Sequence, residues 1–253
     1  GTDNVMMAAV LAKGTTIIEG AAAEPEVEDL ANFLRKMGAK IEGAGSNRIV
    51  IEGVKELHGA EHTVIPDRIE AGTFLCAGAM MGEGVTLKRV APEHMKAVLD
   101  SLKLCGFPME IGKDSITIHP NPNAKGFDLT TMPYPGFPTD MQAQFCAMAC
   151  AIPDTSTITE TIFPQRFMHV AEMKRMGANI DLQGATARIR GVDKMKGAPV
   201  MASDLRASAA LVLAAIKAEG KTEINRLYHI DRGYEHLDDK LVGLGADLER
   251  VKA

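Results

Sequence analysis

The sequence predicts an α/β protein built from repeated units of helices and strands. Three segments share one plan: an Asp, an Ala-rich apolar run, a turn containing Gly or Asp, and a short strand rich in β-branched residues. These segments begin near Pro66, Pro138 and Ala202. The Ala-rich runs carry almost no charge, which predicts helices that are buried on every side. The expected fold class is therefore α/β, with helices buried beneath sheets.

A second, amphipathic helix is predicted after each of these strands. The segments "HMKAVLDSLK" and "HLDDKLVGL" combine apolar and charged residues at helical spacing, so these helices are expected on the outside. Each ends at a glycine that another predicted strand follows, at Gly106, Gly177 and Gly245. The repeating unit is thus helix–strand–helix–strand, and the last copy ends in a strand over "ADLERV".

The repeats predict two domains. The segment "EHTVIPDRIE" indicates a crossing from one domain into the next. Residues 1–64 are expected to be the C-terminal remnant of a first domain, and residues 65–253 a second domain with three repeats. A solenoid is the alternative for any repeat protein, but each unit here is longer than usual and its buried helix lacks a single-sided apolar stripe. The opening "GTDNVMMAAV" has no initiator Met, so we expect a protein that lacks its N-terminal part.

Composition excludes several functional classes. A net charge of −5 with mixed signs offers no broad basic surface, so no nucleic-acid partner is expected and any anion site should be local. The apolar runs are interrupted or too short to span a bilayer, so no membrane insertion is expected. The cysteines form no CxxC pair and the histidines show no metal-ligand spacing. Buried, reduced thiols fit a cytoplasmic protein.

Acidic residues stand at the starts of the three predicted buried helices: Asp67, Asp140 and Asp204. They are either N-caps encoded by the repeat or part of a site where helix N-termini bind phosphate or carboxylate. Thr139 is an alternative cap for the helix that follows Asp140. Arg206 lies in the first turn of an otherwise uncharged helix, where it opposes the helix dipole. We therefore expect an anion to hold Arg206, either a substrate group or Asp204.

Two further arginines are candidates for anion binding. Arg166 lies in "FPQRFMHVAEM" and Arg232 in "YHIDRGYEHL", and both precede amphipathic helices. Arginines at such positions are either solvated or bound to an anion. The residue pattern alone leaves both alternatives open.

Six motifs together resemble those of the UDP-N-acetylglucosamine 1-carboxyvinyltransferase family, the enolpyruvyl transferases that begin peptidoglycan precursor synthesis. The similarity runs from Thr2 to Lys252. The motifs are, in chain order, "AAAEPEVEDLANFL", "PDRIEAGTFL", "FPTDMQAQF", "TETIFPQRFMHVAEMKRMGA", "SDLRASAALVLA" and "YHIDRGYEHLDDKLVGLGA". The resemblance implies an enolpyruvyl-transferase-like fold of two inside-out α/β domains, each with three repeats around buried helices and with the active site between the domains.

The resemblance also implies a reaction. Family members move enolpyruvyl from phosphoenolpyruvate to the 3-hydroxyl of UDP-N-acetylglucosamine and release phosphate by addition and then elimination. The implied partners are these two substrates, and no metal or organic cofactor is implied. We expect a cytoplasmic monomer that serves cell-wall synthesis, and through it cell shape and division.

Site residues follow from the motifs position by position. Asp140 matches the aspartate that contacts the sugar hydroxyl and is assigned as its base. Arg232 matches an arginine that contacts phosphoenolpyruvate, and Arg206 with Asp204 matches a pair lining the same cleft. These four residues are the expected catalytic set.

The expected substrate-binding set combines Asp140 and Arg232 with two more residues. Ile162 matches an apolar residue that lines the UDP-sugar site, and Arg166 matches another arginine of the cleft. The family's catalytic Lys-Asn pair and its proton-donor loop have no counterpart in this sequence, and no cysteine here matches the loop cysteine. We therefore expect the parent protein to be the enzyme and these 253 residues alone to be inactive.

Two other readings remain open at this point. The nearest rival enzyme is 5-enolpyruvylshikimate-3-phosphate synthase, which shares the architecture and the donor but uses a shikimate-phosphate acceptor. The other rival is a non-catalytic, truncated fragment of the transferase that folds without turning over substrate.

Overall fold

The computed structural model describes residues 1–251, which form two compact units. The first unit contains Gly1–Pro66 together with Pro133–Gly136, and the second contains the rest of the described chain from Asp67 onward. Each unit has its own hydrophobic core. Within residues 1–251 no helix combines the length and the apolar character that a bilayer span requires.

The first unit packs two helices on a three-stranded antiparallel sheet. Its elements are α1 (Thr2–Ala9), β1 (Thr15–Glu19), α2 (Pro25–Lys36), β2 (Lys40–Glu42) and β3 (Arg48–Glu52). The strand order is β1-β3-β2. Pro25 opens α2 at a position where the missing N–H costs nothing, and acidic residues fill the first turn. Apolar side chains of both helices and of β3 form the core.

The second unit is larger and contains all the candidate site residues. Its helices are α3 (Arg68–Met80), α4 (Lys96–Leu104), α5 (Gln142–Ala151), α6 (Met168–Arg175), α7 (Leu205–Ile216), α8 (Tyr228–Asp231) and α9 (Leu237–Gly243). Its strands are β4 (Val85–Lys88), β5 (Met109–Ile111), β6 (Ser115–Ile118), β7 (Asp128–Thr130), β8 (Thr155–Thr159), β9 (Asn179–Gln183), β10 (Thr186–Arg190), β11 (Met195–Lys196), β12 (Pro199–Met201), β13 (Ala218–Glu219) and β14 (Glu223–Asn225). The sheets are β4-β6-β5, β7-β8-β10-β9, β11-β13 and β12-β14.

The three Ala-rich helices α3, α5 and α7 pack against one another at the centre of the second unit. In α5 every residue from Gln142 to Cys150 is buried, and α3 is buried almost as completely. By contrast, the helices α4, α6 and α9 each expose one face to solvent. The prediction of buried helices surrounded by sheets is therefore confirmed. These helices can pack so closely because their alanine side chains are small.

The predicted repeat unit was one strand too short. In the first two copies the strand after the second helix turns back as a hairpin, so that β6 pairs with both β4 and β5, and β10 pairs with both β8 and β9. Gly106 and Gly177 end the second helices with positive φ, as predicted. The alternating segments that follow them hold two strands each, separated by a tight turn.

The strand predicted over "ADLERV" after Gly245 is not present. A strand requires a ladder partner, and no segment of the described chain pairs with residues 246–251. The side chain of Arg250 instead binds two carboxylates, at 2.8 Å from Asp231 and 2.7 Å from Asp238. These ion pairs dock the segment onto α8 and α9 without extended pairing.

A glycine on α3 allows one of the closest contacts in the core. A Cβ atom at Gly78 would lie 2.8 Å from both Val85 Cβ and Ile118 Cγ2. Because both neighbours are β-branched and stand on strands, neither can move aside cheaply.

We expect Gly78→Ala to lower the free energy of unfolding by about 1–3 kcal/mol, because the added methyl group overpacks this contact. Gly243→Ala is the matched control, since Gly243 is also helical and nothing lies within 4 Å of the added Cβ. There alanine should raise stability by about 0.5–1 kcal/mol through helix propensity. Urea unfolding measures both variants, and equal stability of the two would contradict the close packing of α3 on its sheet.

Candidate active site

Two of the three aspartates at the buried-helix starts are N-caps. Asp67 Oδ1 accepts hydrogen bonds from the backbone amides two and three residues further on, at 2.7 and 3.0 Å. Asp204 Oδ1 makes the same pair of contacts, both at 2.9 Å. Both residues therefore satisfy amide groups that a helix start leaves unpaired.

Asp140 behaves differently, because its helix begins with a 3₁₀ turn over Thr139–Met141. No side chain caps this turn or α5, so of the two alternatives left open by the sequence, capping by Thr139 or Asp140 does not occur. Asp140 Oδ1 instead accepts a hydrogen bond from Arg166 Nη1 at 2.7 Å, and Oδ2 accepts one from Arg206 Nη2 at 2.8 Å. In both of these bonds the donor and the acceptor are charged, and the carboxylate lies between two guanidinium groups.

The anion that holds Arg206 is thus Asp140, and not the neighbouring Asp204. The Oδ1 atom of Asp204 is engaged by backbone amides, whereas the Arg206 guanidinium points toward the start of α5. The side chain of Arg206 is only 12% exposed. Pairing with Asp140 offsets both its burial and its unfavourable position at a helix N-terminus.

A buried polar network approaches Arg206 from its other side. Arg206 Nη1 lies 3.5 Å from the hydroxyl of Tyr234, which also contacts Thr73 Oγ1 at 2.8 Å and Gln144 Nε2 at 3.4 Å. Thr73 and Gln144 belong to α3 and α5, so all three central helices contribute to this network. Its members are far apart in the chain, so no local sequence pattern predicts it.

The environment of Asp140 sets its protonation state. Burial would raise the pKa of this carboxyl group, but the guanidinium groups of Arg206 and Arg166 outweigh burial and hold the pKa below the ordinary value of 3.8. Asp140 is therefore ionised at neutral pH. It is competent to accept a proton, although the two cations weaken it as a base.

A buried histidine lies near this cluster. His169, on α6, is 2% exposed, and burial lowers its pKa to about 4, with Asp204 acting to raise it and Arg166 to lower it further. The imidazole is therefore neutral at pH 7 and adds no positive charge beside the arginines. His169 is not among the site residues predicted from the sequence.

The loop after β8 carries two of the predicted residues, Ile162 and Arg166. The backbone amides of Ile162 and Phe163 donate to the carboxylate of Glu160, at 2.8 and 3.0 Å. The Arg166 guanidinium lies 5.4 Å from the centre of the Phe163 ring, a distance at which a cation interacts with an aromatic face. Ile162 is half-buried. The loop thus carries a half-buried apolar residue and the cation that contacts Asp140.

Arg232 makes no contact with the side chains of this cluster among the described residues. It follows α8 and is exposed, and within residues 1–251 no hydrogen bond or ion pair to another side chain involves it. Its neighbour Asp231 pairs with Arg250 instead. The structure therefore joins Asp140, Arg166 and Arg206 directly, and leaves Arg232 available to solvent or ligand.

The four cysteines of the second unit are buried and free, which the apolar run around Cys146 and Cys150 predicted for those two. Burial raises the pKa of Cys105 to about 11 and that of Cys150 to about 12. The same cause raises the pKa of the Cys76 and Cys146 thiols. Buried neutral thiols are poor nucleophiles, so these residues serve packing rather than chemistry.

We expect the pairing of Asp140 to make stability depend on acid pH. Because its pKa is lower in the folded state than the ordinary 3.8, the ionised carboxylate contributes stability above that value. This contribution is lost as the pH falls through the folded-state pKa. Asp140→Asn lacks this titration, so its free energy of unfolding should fall less steeply between about pH 5 and pH 2. Urea unfolding across this range is the measurement, and parallel acid limbs for both proteins would contradict the assignment.

Curated relatives match almost the whole chain. The chain is 64% identical over 253 residues to a UDP-N-acetylglucosamine 1-carboxyvinyltransferase from Akkermansia muciniphila, and the match covers 99% of this chain and 60% of that protein. It is 59% identical over 251 residues to the protein of the same name from Methylacidiphilum infernorum, with 99% and 60% covered. The chain thus spans about 60% of the length of these relatives.

Solved structures share the fold. The enolpyruvyl transferase NikO from Streptomyces tendae superposes with a TM-score of 0.88 at 30% identity, covering 98% of this chain and 59% of that one. EPSP synthase from Acinetobacter baumannii superposes with a TM-score of 0.73 at 19% identity, covering 98% and 60%. At this lower identity the likeness concerns the fold alone.

A family model extends over nearly all of the sequence. The model described as EPSP synthase (3-phosphoshikimate 1-carboxyvinyltransferase) matches residues 1–241. This range includes the central helices α3, α5 and α7, together with Asp140, Arg166 and Arg206. The chain therefore belongs to the EPSP synthase (3-phosphoshikimate 1-carboxyvinyltransferase) family.

Proposed function

We propose that the whole protein transfers enolpyruvyl from phosphoenolpyruvate to the 3-hydroxyl of UDP-N-acetylglucosamine and releases phosphate. The observation that carries the proposal is the carboxylate of Asp140 held between Arg166 and Arg206. This arrangement combines a proton acceptor with two anion-binding groups. The names of relatives at 64% and 59% identity support the choice of acceptor.

The two arginines have a double role in this proposal. Planar guanidinium groups bind phosphate and carboxylate with matched geometry, so they suit both the donor and the diphosphate of the acceptor. An anionic substrate group that binds Arg166 or Arg206 competes with Asp140 for the positive charge. As the carboxylate loses a cationic partner its proton affinity rises, and it becomes a better base for a hydroxyl group. Substrate binding thereby activates Asp140.

The remaining predicted residues take supporting roles. Arg232, exposed beyond α8, is proposed to contact the phosphoenolpyruvate anion. Ile162 is proposed to line the UDP-sugar site from the loop after β8. Asp204 caps α7, and through that cap it fixes the backbone from which Arg206 reaches Asp140.

We also propose the wider setting implied by this reaction. The reaction would begin peptidoglycan precursor synthesis in the cytoplasm, where buried free thiols stay reduced. The protein would act as a monomer. The first compact unit would be the end of one inside-out domain, and the second unit a further such domain around α3, α5 and α7.

The second candidate acceptor is shikimate 3-phosphate, since the matching family model bears the name of EPSP synthase. The amino sugar is favoured, because the relatives at 64% and 59% identity are named for that acceptor.

We expect the whole protein to release phosphate from phosphoenolpyruvate when UDP-N-acetylglucosamine is present, and not when shikimate 3-phosphate replaces it. The physical reason is that a site built to pair with polar groups of one acceptor leaves them unpaired with another, a loss of about 10⁴-fold or more in kcat/KM. A colorimetric phosphate assay with each acceptor decides between them. Phosphate release with shikimate 3-phosphate as acceptor, and none with UDP-N-acetylglucosamine, would overturn the proposed function.

We expect Asp140→Asn to lower kcat of the whole protein by at least about a hundredfold, because the amide cannot accept the hydroxyl proton and general-base catalysis contributes about 10²–10⁴ in rate. Asp67→Asn is the matched control. Asp67 starts the corresponding helix in the preceding repeat, where it is a cap, and Asn caps about as well as Asp. Its kcat should stay close to that of the parent. If Asp140→Asn kept kcat within a fewfold of the parent, the base would have to be another residue.

A further inference from the structure

Glu160, which directly follows β8, has a carboxylate that is only 1% exposed. Its Oε1 atom accepts hydrogen bonds from Thr131 Oγ1 at 2.8 Å and from the amides of Ile162 and Phe163 at 2.8 and 3.0 Å. Its Oε2 atom accepts one from Thr139 Oγ1 at 2.8 Å. No cation among the described residues pairs with it. A buried carboxylate is costly unless it is hydrogen-bonded, and four donors meet that requirement here.

The four donors come from three separate segments that surround Asp140. Thr131 follows β7, Thr139 opens the 3₁₀ turn that contains Asp140, and the two amides belong to the loop that leads to Arg166. Thr131 also accepts the backbone N–H of Thr161, at 2.9 Å. One buried side chain therefore fixes the relative positions of the segments that carry Asp140 and Arg166.

The hydroxyl of Thr139 connects this carboxylate to the arginine. A hydroxyl has one proton to donate and two lone pairs that accept. The Thr139 proton is directed to Glu160 Oε2, which leaves the lone pairs free, and one of them accepts from Arg166 Nη1 at 3.1 Å. The same Nη1 atom donates to Asp140 Oδ1 at 2.7 Å. The orientation of Thr139, and with it one contact of Arg166, depends on Glu160.

We propose that Glu160 is a positioning residue, which acts through Thr139 to hold the Arg166 guanidinium against Asp140. Its catalytic consequence rests on the proposed function, whereas the network itself does not. Glu160 touches no reacting atom in this scheme. It sets the geometry in which Arg166 partly neutralises Asp140.

Three substitutions in the whole protein test the connection from Glu160 through Thr139 to Arg166. In Glu160→Gln the amide nitrogen cannot accept the Thr139 proton, and Thr139→Val removes the hydroxyl with little change in volume. Thr139→Ser keeps the hydroxyl and is the rescue variant. We expect kcat to fall about tenfold or more in the first two, because a displaced Arg166 is no longer placed to bind the anionic substrate group whose binding activates Asp140, and loss of positioning costs up to about a hundredfold. The kcat of Thr139→Ser should stay close to that of the parent. The kcat of the double variant Glu160→Gln/Thr139→Val should be no lower than that of the slower single variant, because both substitutions act on the same contact of Arg166.

The matched control is Glu172→Gln. Glu172 is a partly buried glutamate whose carboxylate also accepts a hydrogen bond from a backbone amide, that of Met201 at 3.0 Å, but it makes no contact with Thr139 or Arg166 among the described residues. Its kcat should match that of the parent. Three outcomes would each overturn the proposal. They are an unchanged kcat in folded Glu160→Gln, additive losses of kcat in the double variant, and an equal loss of kcat in Glu172→Gln.

A second readout needs no turnover and separates this proposal from the proposed function. The pKa of Asp140, followed by carbon-13 NMR of labelled aspartate, should rise in Thr139→Val and in Glu160→Gln because Arg166 is released. Removing the charge of Glu160 would by itself lower that pKa, so a rise in Glu160→Gln identifies displacement of Arg166. A parent without transferase activity would refute the proposed function, whereas an Asp140 pKa that fails to rise would refute the role of Glu160.

Discussion

The structure of the site depends on one interaction, the carboxylate of Asp140 between the guanidinium groups of Arg166 and Arg206. The three residues come from the start of α5, the loop after β8 and the first turn of α7. Each arginine is partly removed from water, and Arg206 also opposes the dipole of its own helix. Asp140 compensates these costs for both cations. The packing of α5 against α7 therefore brings Asp140 and Arg206 together.

A small backbone change separates the two capping aspartates from Asp140, the proposed base. Asp67 and Asp204 each directly precede an α-helix, and one carboxylate oxygen of each accepts hydrogen bonds from two backbone amides. Asp140 lies inside a 3₁₀ turn that precedes α5, so its carboxylate faces away from the helix amides and meets side chains instead. The repeats thus keep an acid at one position while the local helix geometry decides its role. Similarity between repeats alone would assign all three the same function.

The sequence predicted features that depend on local chemistry and missed those that depend on distant partners. Ala-rich runs indicated the buried helices, and glycines marked helix ends correctly. The partner of Arg206 could not be read from its surroundings, since Asp140 lies 66 positions away. The strand expected after Gly245 failed for lack of a ladder partner within the described chain. Glu160 did leave a signal, because the alternation of buried Ser156 and Ile158 continues to it and places a carboxylate on the buried face.

The two arginines are held by different means, and this difference has a mechanistic consequence. Arg206 stands on a buried helix and is backed by Tyr234, itself fixed by side chains of α3 and α5. Arg166 stands on a loop whose position depends on hydrogen bonds to Glu160 and Thr139. An anionic ligand that competes for guanidinium charge therefore draws Arg166 away from Asp140 more readily than Arg206. Under the proposed function, Arg206 then keeps the carboxylate oriented while the loss of Arg166 raises its basicity, so one arginine positions the proposed base and the other regulates it.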